Sequence, residues 1–262
     1  MTEKTLNNRK NGMVVLLLLV LAYVASVVLF IFGVSYDILP LTLISCVWFV
    51  FGWIFFLGLK VLKPQEALVL TLFGKYVGTL KNSGFYFVNP FCTAVNPAAG
   101  TKLNQSGDVK VLGAKQPSGG ADVSVDIPTK KISLKIMTLN NNRQKINDCL
   151  GNPVEIGIAV MWRVVDTAKA VFNVDNYKEY LSLQCDSALR HIVRIYPYDI
   201  APNVDTTGDG IADEGSLRGS SEVVAARIKD EIQDKVSEAG IEILEARITY
   251  LAYAPEIAAV ML

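Results

Sequence analysis

Two apolar runs, Met13 to Val34 and Ile38 to Leu59, contain no Asp, Glu, Lys, Arg or His and are separated only by residues around Asp37. Each supplies roughly the 20 apolar residues that a helix needs to cross the hydrocarbon core of a bilayer. Gly33 and Pro40 flank the short connection Ser35 to Asp37, as a tight turn between two helices requires. The pattern predicts a transmembrane helical hairpin over residues 13–59, preceded by a polar tail at 1–12. A wedge that enters and leaves a single leaflet is the alternative. The first run is longer than the apolar region of a typical signal peptide, and no small-residue cleavage pattern precedes the second, so the hairpin reads as an uncleaved anchor.

After Lys63-Pro64 the apolar positions come in short mixed segments. Leu68, Leu70 and Leu72 alternate with Val69, Thr71 and Phe73, which predicts a strand buried on both faces, and Phe73 to Tyr76 supplies the turn. Phe85 to Phe91 is a second candidate strand, stopped near Pro90. Thr93 to Pro128 is rich in Gly, Ser, Asn and Pro and reads as a long loop. Its apolar stretches, Val109 to Leu112 and Val123 to Ile127, have room for one extra hairpin. Ile132, Leu134 and Ile136 alternate with Lys131, Ser133 and Lys135, as in a half-buried strand.

The clearest strand follows the turn Gly151-Asn152-Pro153, with Ile156, Ile158, Val160, Trp162 and Val164 on one face and small residues Gly157 and Ala159 on the other. Those small residues leave room for a close neighbour such as a helix. Asp166 is placed to cap a short helix through Phe172. Tyr177 to Ile195 is amphipathic, with Leu181, Cys185, Ala188, Ile192 and Ile195 at steps of four and three. Ser220 or Ser221 starts another helix with Val224, Ile228, Ile232 and Val236 as its buried stripe, Arg227, Glu231 and Lys235 paired outside, and Gly240 at its end. Ile241 to Tyr253 is the last strand, and Pro255 opens a helix that breaks off at Leu262, as expected of a fragment or of an end that a partner buries.

Charge narrows the function. Lys+Arg and Asp+Glu are equal at 25 each, and basic residues are not gathered with aromatics, which argues against a nucleic-acid partner. Lys4, Arg9 and Lys10 precede the hairpin, Lys60 and Lys63 follow it, and only Asp37 lies between, so the positive-inside rule puts both ends in the cytoplasm. Absence of charge within the runs disfavours an ion pathway. The four cysteines, Cys46, Cys92, Cys149 and Cys185, are scattered and read as reduced thiols.

Candidate chemistry is sparse. His191 is the one histidine and sits at the edge of its helix's apolar stripe, the position of a structural residue at the boundary of a core. Phosphate-loop, dinucleotide-turn and nucleophile-elbow motifs are missing, and no catalytic or cofactor-binding set is identified. Asp205, Asp209 and Asp213 occupy positions one, five and nine of a weak calcium-loop candidate with Gly210 at six. Thr207 and Ser216 stand where acidic ligands are wanted, and a solvated acidic turn is the alternative. Glu242, Glu245 and Arg247 form a charged group on the last strand, expected to bridge to neighbouring helices.

Gly84-Phe85, Asn89-Pro90-Phe91, Gly151 to Ile156, Trp162-Arg163-Val164, Ala188-Leu189-Arg190, Glu245-Ala246-Arg247 and Tyr253 to Ala258 follow one another in that order after the hairpin. This order of pieces resembles the SPFH, or Band 7, family of stomatin, prohibitin, flotillin and the HflK/C proteins. The double anchor is most similar to the prokaryotic branch. The resemblance implies an α+β fold over residues 62–253, with a curved, mainly antiparallel sheet packed by helices, and the start of a C-terminal helix at 254–262. It further implies a non-enzymatic scaffold in a cell membrane that forms homo-oligomeric rings or cages, organises lipid microdomains and restrains partners such as a membrane AAA+ protease. A many-copy channel or channel regulator and a membrane-associated hydrolase are the alternatives. Relatives continue into a long assembling helix, whereas the loops at 93–128 and 201–219 look longer here than in the family.

Overall fold

The computed structural model describes residues 2–6, 11–103, 109–111, 129–141, 143–199 and 215–258. The chain begins with α1 (Gly12–Ser35) and α2 (Leu39–Phe51), followed by a 3-10 segment Gly52–Gly58. Strands β1 (Leu59–Leu62), β2 (Glu66–Leu72), β3 (Lys75–Leu80), β4 (Gly84–Phe87), β5 (Thr93–Ala94), β6 (Thr101–Leu103) and β7 (Val109–Val111) follow. Next come β8 (Ile132–Ser133), β9 (Met137–Asn140), β10 (Gln144–Asn147), β11 (Pro153–Val164), α3 (Thr167–Phe172), α4 (Tyr177–Val193), α5 (Ser221–Val236), β12 (Ile241–Tyr253) and α6 (Pro255–Ala258). These cluster into two compact units, one of Glu3–Asn96 with Lys130–Ser133 and one of Pro97–Thr129 with Leu134–Leu262 and the first two residues. Among the described residues the named strands pair antiparallel, as expected, in two four-stranded and two two-stranded sheets.

In the anchor-bearing unit, β2 pairs with β3, β5 and β8, and β1 pairs with β4. Ala67, Val69 and Leu70 are fully buried, which confirms a strand covered on both faces. β1 and β3 add to the expected strands: the turn after β2 is only Phe73-Gly74, both at positive φ (48° and 81°), and Lys75 already belongs to β3. Two residues at positive φ make the hairpin turn whose twist suits antiparallel strands. β4 stops at Phe87, earlier than expected, because Asn89 folds the chain into a turn of its own. Its side chain accepts the Phe91 N–H at 3.0 Å and its carbonyl accepts the Cys92 N–H at 2.9 Å.

The alternation from Lys131 to Ile136 does not form one strand. Ile132 is fully buried in β8, whereas Ile136 is exposed just before β9. The chain passes there from a pairing with β2 to a pairing with β11, so one alternating stretch serves two sheets. The extra hairpin exists with Val109–Val111 as one arm, but its partner is Thr101–Leu103. Val123 to Ile127 lies outside the described residues.

In the other unit, β11 is flanked by β12 on one edge and by β9 and β10 on the other. Ile156, Ile158, Val160 and Trp162 are fully buried, as the alternation predicts. Helix α4 buries Leu181, Cys185 and Ala188, and α5 buries Val224, Ile228, Ile232 and Val236. Each of the Leu, Ile and Val side chains among these contributes about 1.5–3 kcal/mol when fully buried. Asp166 caps α3 by accepting the Lys169 N–H at 2.9 Å. Gly157 faces Thr249 and Tyr250 of β12 and the Asn141 carbonyl instead of a helix, because a register shift between Gly157 and Ile158 crowds that point. Gly240 takes φ 66° at the α5–β12 connection, and a Cβ there would collide with the Asp166 carbonyl.

Candidate functional site

The anchor is built from two apolar helices that meet through small and hydroxyl-bearing residues. Ser26 and Ser45 are buried, with Ser26 Oγ donating to the Ser45 carbonyl at 3.4 Å and Ser45 Oγ donating to the Leu41 carbonyl at 2.9 Å. At the closed end Thr42 lies against Gly33, where a Cβ would have no room. Small residues let helix backbones approach in lipid, where the hydrophobic effect does not drive helices together. Tyr23 packs edge-on against Phe49 with centroids 5.7 Å apart.

The rest of the hairpin surface is apolar and open. Leu17, Leu21, Val24, Leu39 and Ile44 are each at least 60% exposed. A contiguous apolar surface of this extent belongs against lipid or another protein. The 24 residues of α1 span about 36 Å. The second run departs from a uniform α-helix at Gly52, where it tightens to 3-10 geometry. Its 13 α-helical and 7 3-10 residues still reach about 34 Å, so both legs match a hydrocarbon core of about 30 Å. Both are long and apolar enough to cross a membrane.

The same compact unit carries two exposed aromatics. Thr71 of β2 pairs with Thr93 of β5, and two residues from that pair, just outside the two strands, stand Phe73 and Phe91, 87% and 60% exposed. Phe73 is also held at φ 48°, which is unusual for a bulky side chain. The alternation ends at Phe73 and the turn expected from Phe73 to Tyr76 begins there, and Phe73 indeed lies in the turn, outside β2.

Charged groups elsewhere are arranged to hold elements together. His191 is exposed, not at a core boundary, and its Nδ1 lies 3.4 Å from Glu231 Oε1 on α5. Glu231 also pairs with Lys235 at 2.8 Å, and that hydrogen bond holds its carboxyl below the usual range. Arg227 does not join this series but lies over the Tyr196 ring, 5.4 Å from its centroid. Glu242 bridges to Arg163 on the neighbouring strand at 2.6 Å, and Glu245 to Arg247 on its own strand, so this group links strands instead of helices. Asp186 of α4 accepts hydrogen bonds from Asn141 and from Gln144 of β10.

Asp148 is a buried carboxylate that organises the turn before β11, a role not visible in the sequence. Its Oδ1 accepts the N–H groups of Leu150 (3.0 Å) and Asn152 (2.7 Å), and its Oδ2 accepts that of Tyr198 (3.2 Å). Burial pushes the Tyr177 phenol up to about 12 and raises the Cys185 thiol well above its ordinary value. The four cysteines are free, Cys92 and Cys185 buried, Cys46 and Cys149 exposed. The calcium-loop residues Asp205, Asp209 and Asp213 lie outside the described residues. Ser216, its twelfth position, is fully buried and accepts the Gly219 N–H through Oγ.

A groove of about 510 Å³ opens between the first half of α5 and β12, lined by Glu222, Ala225, Lys229, Leu244, Ala246 and Ile248 among others. Among the described residues β12 pairs with no strand but β11, and its stretch Leu244 to Ile248 lines this groove.

A family model described as SPFH domain / Band 7 family matches residues 60–261. No curated protein matches the chain.

Proposed function

The chain belongs to the SPFH domain / Band 7 family, and from that premise we propose that it is a membrane-anchored homo-oligomeric scaffold. Members of this family are generally membrane-associated and non-enzymatic. In this reading the hairpin tethers many copies in one plane, and the domain after Lys60 organises the lipid and the membrane proteins around it. A membrane AAA+ protease is the kind of client such an assembly would restrain.

The observation that carries the reading is the hairpin: two runs without charge, apolar on their exposed surfaces and held by Ser26 and Ser45, in one compact unit with the first strands of the family domain. The flanking Lys4, Arg9, Lys10, Lys60 and Lys63 support a cytoplasmic domain. The test is the mass of full-length protein extracted in mild detergent, measured by size-exclusion chromatography with light scattering. A complex of many copies is expected, and a monomer would overturn the scaffold. Membrane-impermeant maleimide offered to exposed Cys149 from either side of sealed vesicles tests the sidedness, and labelling from the exterior face would reverse it.

A further inference from the structure

Strand β12 presents an edge with a defined direction. Gln233 of α5 donates from Nε2 to the Ile241 carbonyl (3.2 Å) and accepts the Ile243 N–H at Oε1 (2.7 Å), which caps the beginning of the edge that faces away from β11. A register shift between Met161 and Trp162 inserts Leu244, and a second between Gly157 and Ile158 inserts Thr249. Between them Glu245, Ala246, Arg247 and Ile248 run in unbroken register with Met161, Val160, Ala159 and Ile158. The Asn141 N–H donates to the Ile158 carbonyl at 2.8 Å, so Ile158 and, by alternation, Val160 turn their backbone groups away from β12. Their partners Ile248 and Ala246 therefore point theirs outward, toward the groove beside α5. Glu245 and Arg247 stand on the face opposite the buried Ala246, with Glu242 and Arg163.

We propose that this edge pairs antiparallel with the same edge of a second copy, about a twofold axis at Ala246. The occupant follows from charge. An antiparallel pair centred on Ala246 sets Glu245 opposite the partner's Arg247, and Arg247 opposite the partner's Glu245. Both are non-hydrogen-bonded pairs, in which facing side chains come closest. A twofold contact must be self-complementary, and the sequence Glu-Ala-Arg is self-complementary about its middle residue. The Gln233 cap and the two inserted residues restrict pairing to one register, and the two four-stranded sheets become one of eight. The interface is small, and confinement by the anchors in one plane raises the effective concentration that makes a small interface sufficient. The inference rests on the homo-oligomeric reading above and assigns one contact within it.

The experiment uses full-length chains carrying donor or acceptor fluorescent proteins, co-reconstituted in lipid vesicles, with energy transfer as the readout. Glu245→Arg alone places like charges opposite each other at both pairs, as does Arg247→Glu alone, and each variant mixed with itself should associate about tenfold more weakly than the unaltered chain. Glu245→Arg chains mixed with Arg247→Glu chains regain opposite charges at both pairs and should recover transfer, which a folding defect would not permit. Undiminished transfer in each single variant, or failure of the mixture to recover, overturns the β12 contact while leaving the scaffold standing. No transfer in the unaltered chain overturns the scaffold itself.

Discussion

Gln233 stands in for a strand beside Ile243: its carboxamide accepts the Ile243 N–H at 2.7 Å while donating to the Ile241 carbonyl at 3.2 Å. Each bond closes a backbone group that the edge of β12 would otherwise leave open. Gln233→Ala should destabilise the domain by about 1–2 kcal/mol, since two hydrogen bonds are lost at a partly exposed edge. Gln233→Glu keeps the acceptor for Ile243 but sets a carboxylate against the Ile241 carbonyl, so it should be no more stable. Chemical denaturation of the detergent-solubilised protein measures both, and a Gln233→Ala variant as stable as the parent would show the cap to be idle.

Asp148 offers a larger effect from a smaller change. The residue is 5% exposed, and its carboxylate accepts backbone N–H groups from Leu150, Asn152 and Tyr198. Asp148→Asn sets an NH₂ group against at least one of these donors, and Asp148→Ala leaves all of them without the acceptor. The expected losses are roughly 1–3 kcal/mol for Asn and more for Ala. Protease susceptibility of the turn at Gly151 should rise in the same order.

Much of the second unit was readable because its elements are long and bury one face. Five alternating positions from Ile156 to Val164 announced β11, four at helical spacing announced α5, and β12 runs over the expected Ile241 to Tyr253. The elements that escaped are short or shared. β1 has four residues, and the alternation around Ile132 is divided between two sheets, so local periodicity carries no sign of the division. The 3-10 turn after Gly52 depends on packing against the first helix, where Tyr23 crowds that glycine. The interaction surfaces were less legible still. Glu245-Ala246-Arg247 was visible as a motif, but its place on an open edge depends on which strand pairs with which. His191, expected at the boundary of the core, is exposed; a helical wheel cannot say where the packing of α5 against α4 ends.

Phe73 combines backbone strain with nearly complete exposure. Phe73→Asn should stabilise the β2–β3 hairpin by roughly 0.5–1 kcal/mol, because Asn accepts a left-handed backbone more readily than a bulky aromatic. A strained, exposed aromatic at such a position suits a surface with a use, and the hairpin in the same compact unit makes lipid the expected contact. A photoreactive benzoylphenylalanine placed at Phe73 or Phe91 in membranes should capture phospholipid. Capture of protein alone at both positions would assign the pair to a partner instead.

Acid should loosen the molecule through carboxylates that lysines hold ionised. The Lys235 hydrogen bond lowers Glu231, and Lys145 lowers Glu256. For Glu66, burial acts upward, but the hydrogen bond from Lys131 at 2.9 Å, with Lys63 nearby, outweighs it and the net direction is down. A carboxylate whose folded value is depressed binds its proton more readily in the unfolded chain, so its stabilisation is complete above the unfolded value of 4.5 and disappears as pH falls through the lower folded value. The partly exposed Glu66 and Glu231 pairs contribute only a few tenths of a kcal/mol each after solvent screening. Stability should therefore be insensitive to these groups from neutral pH to about 5 and decline below 4.5. Glu66→Gln and Glu231→Gln should lower the neutral plateau slightly and flatten the acid limb. Denaturation midpoints measured from pH 7 to pH 3 would reveal this, and an acid limb unchanged in the double variant would place the sensitivity on other carboxylates.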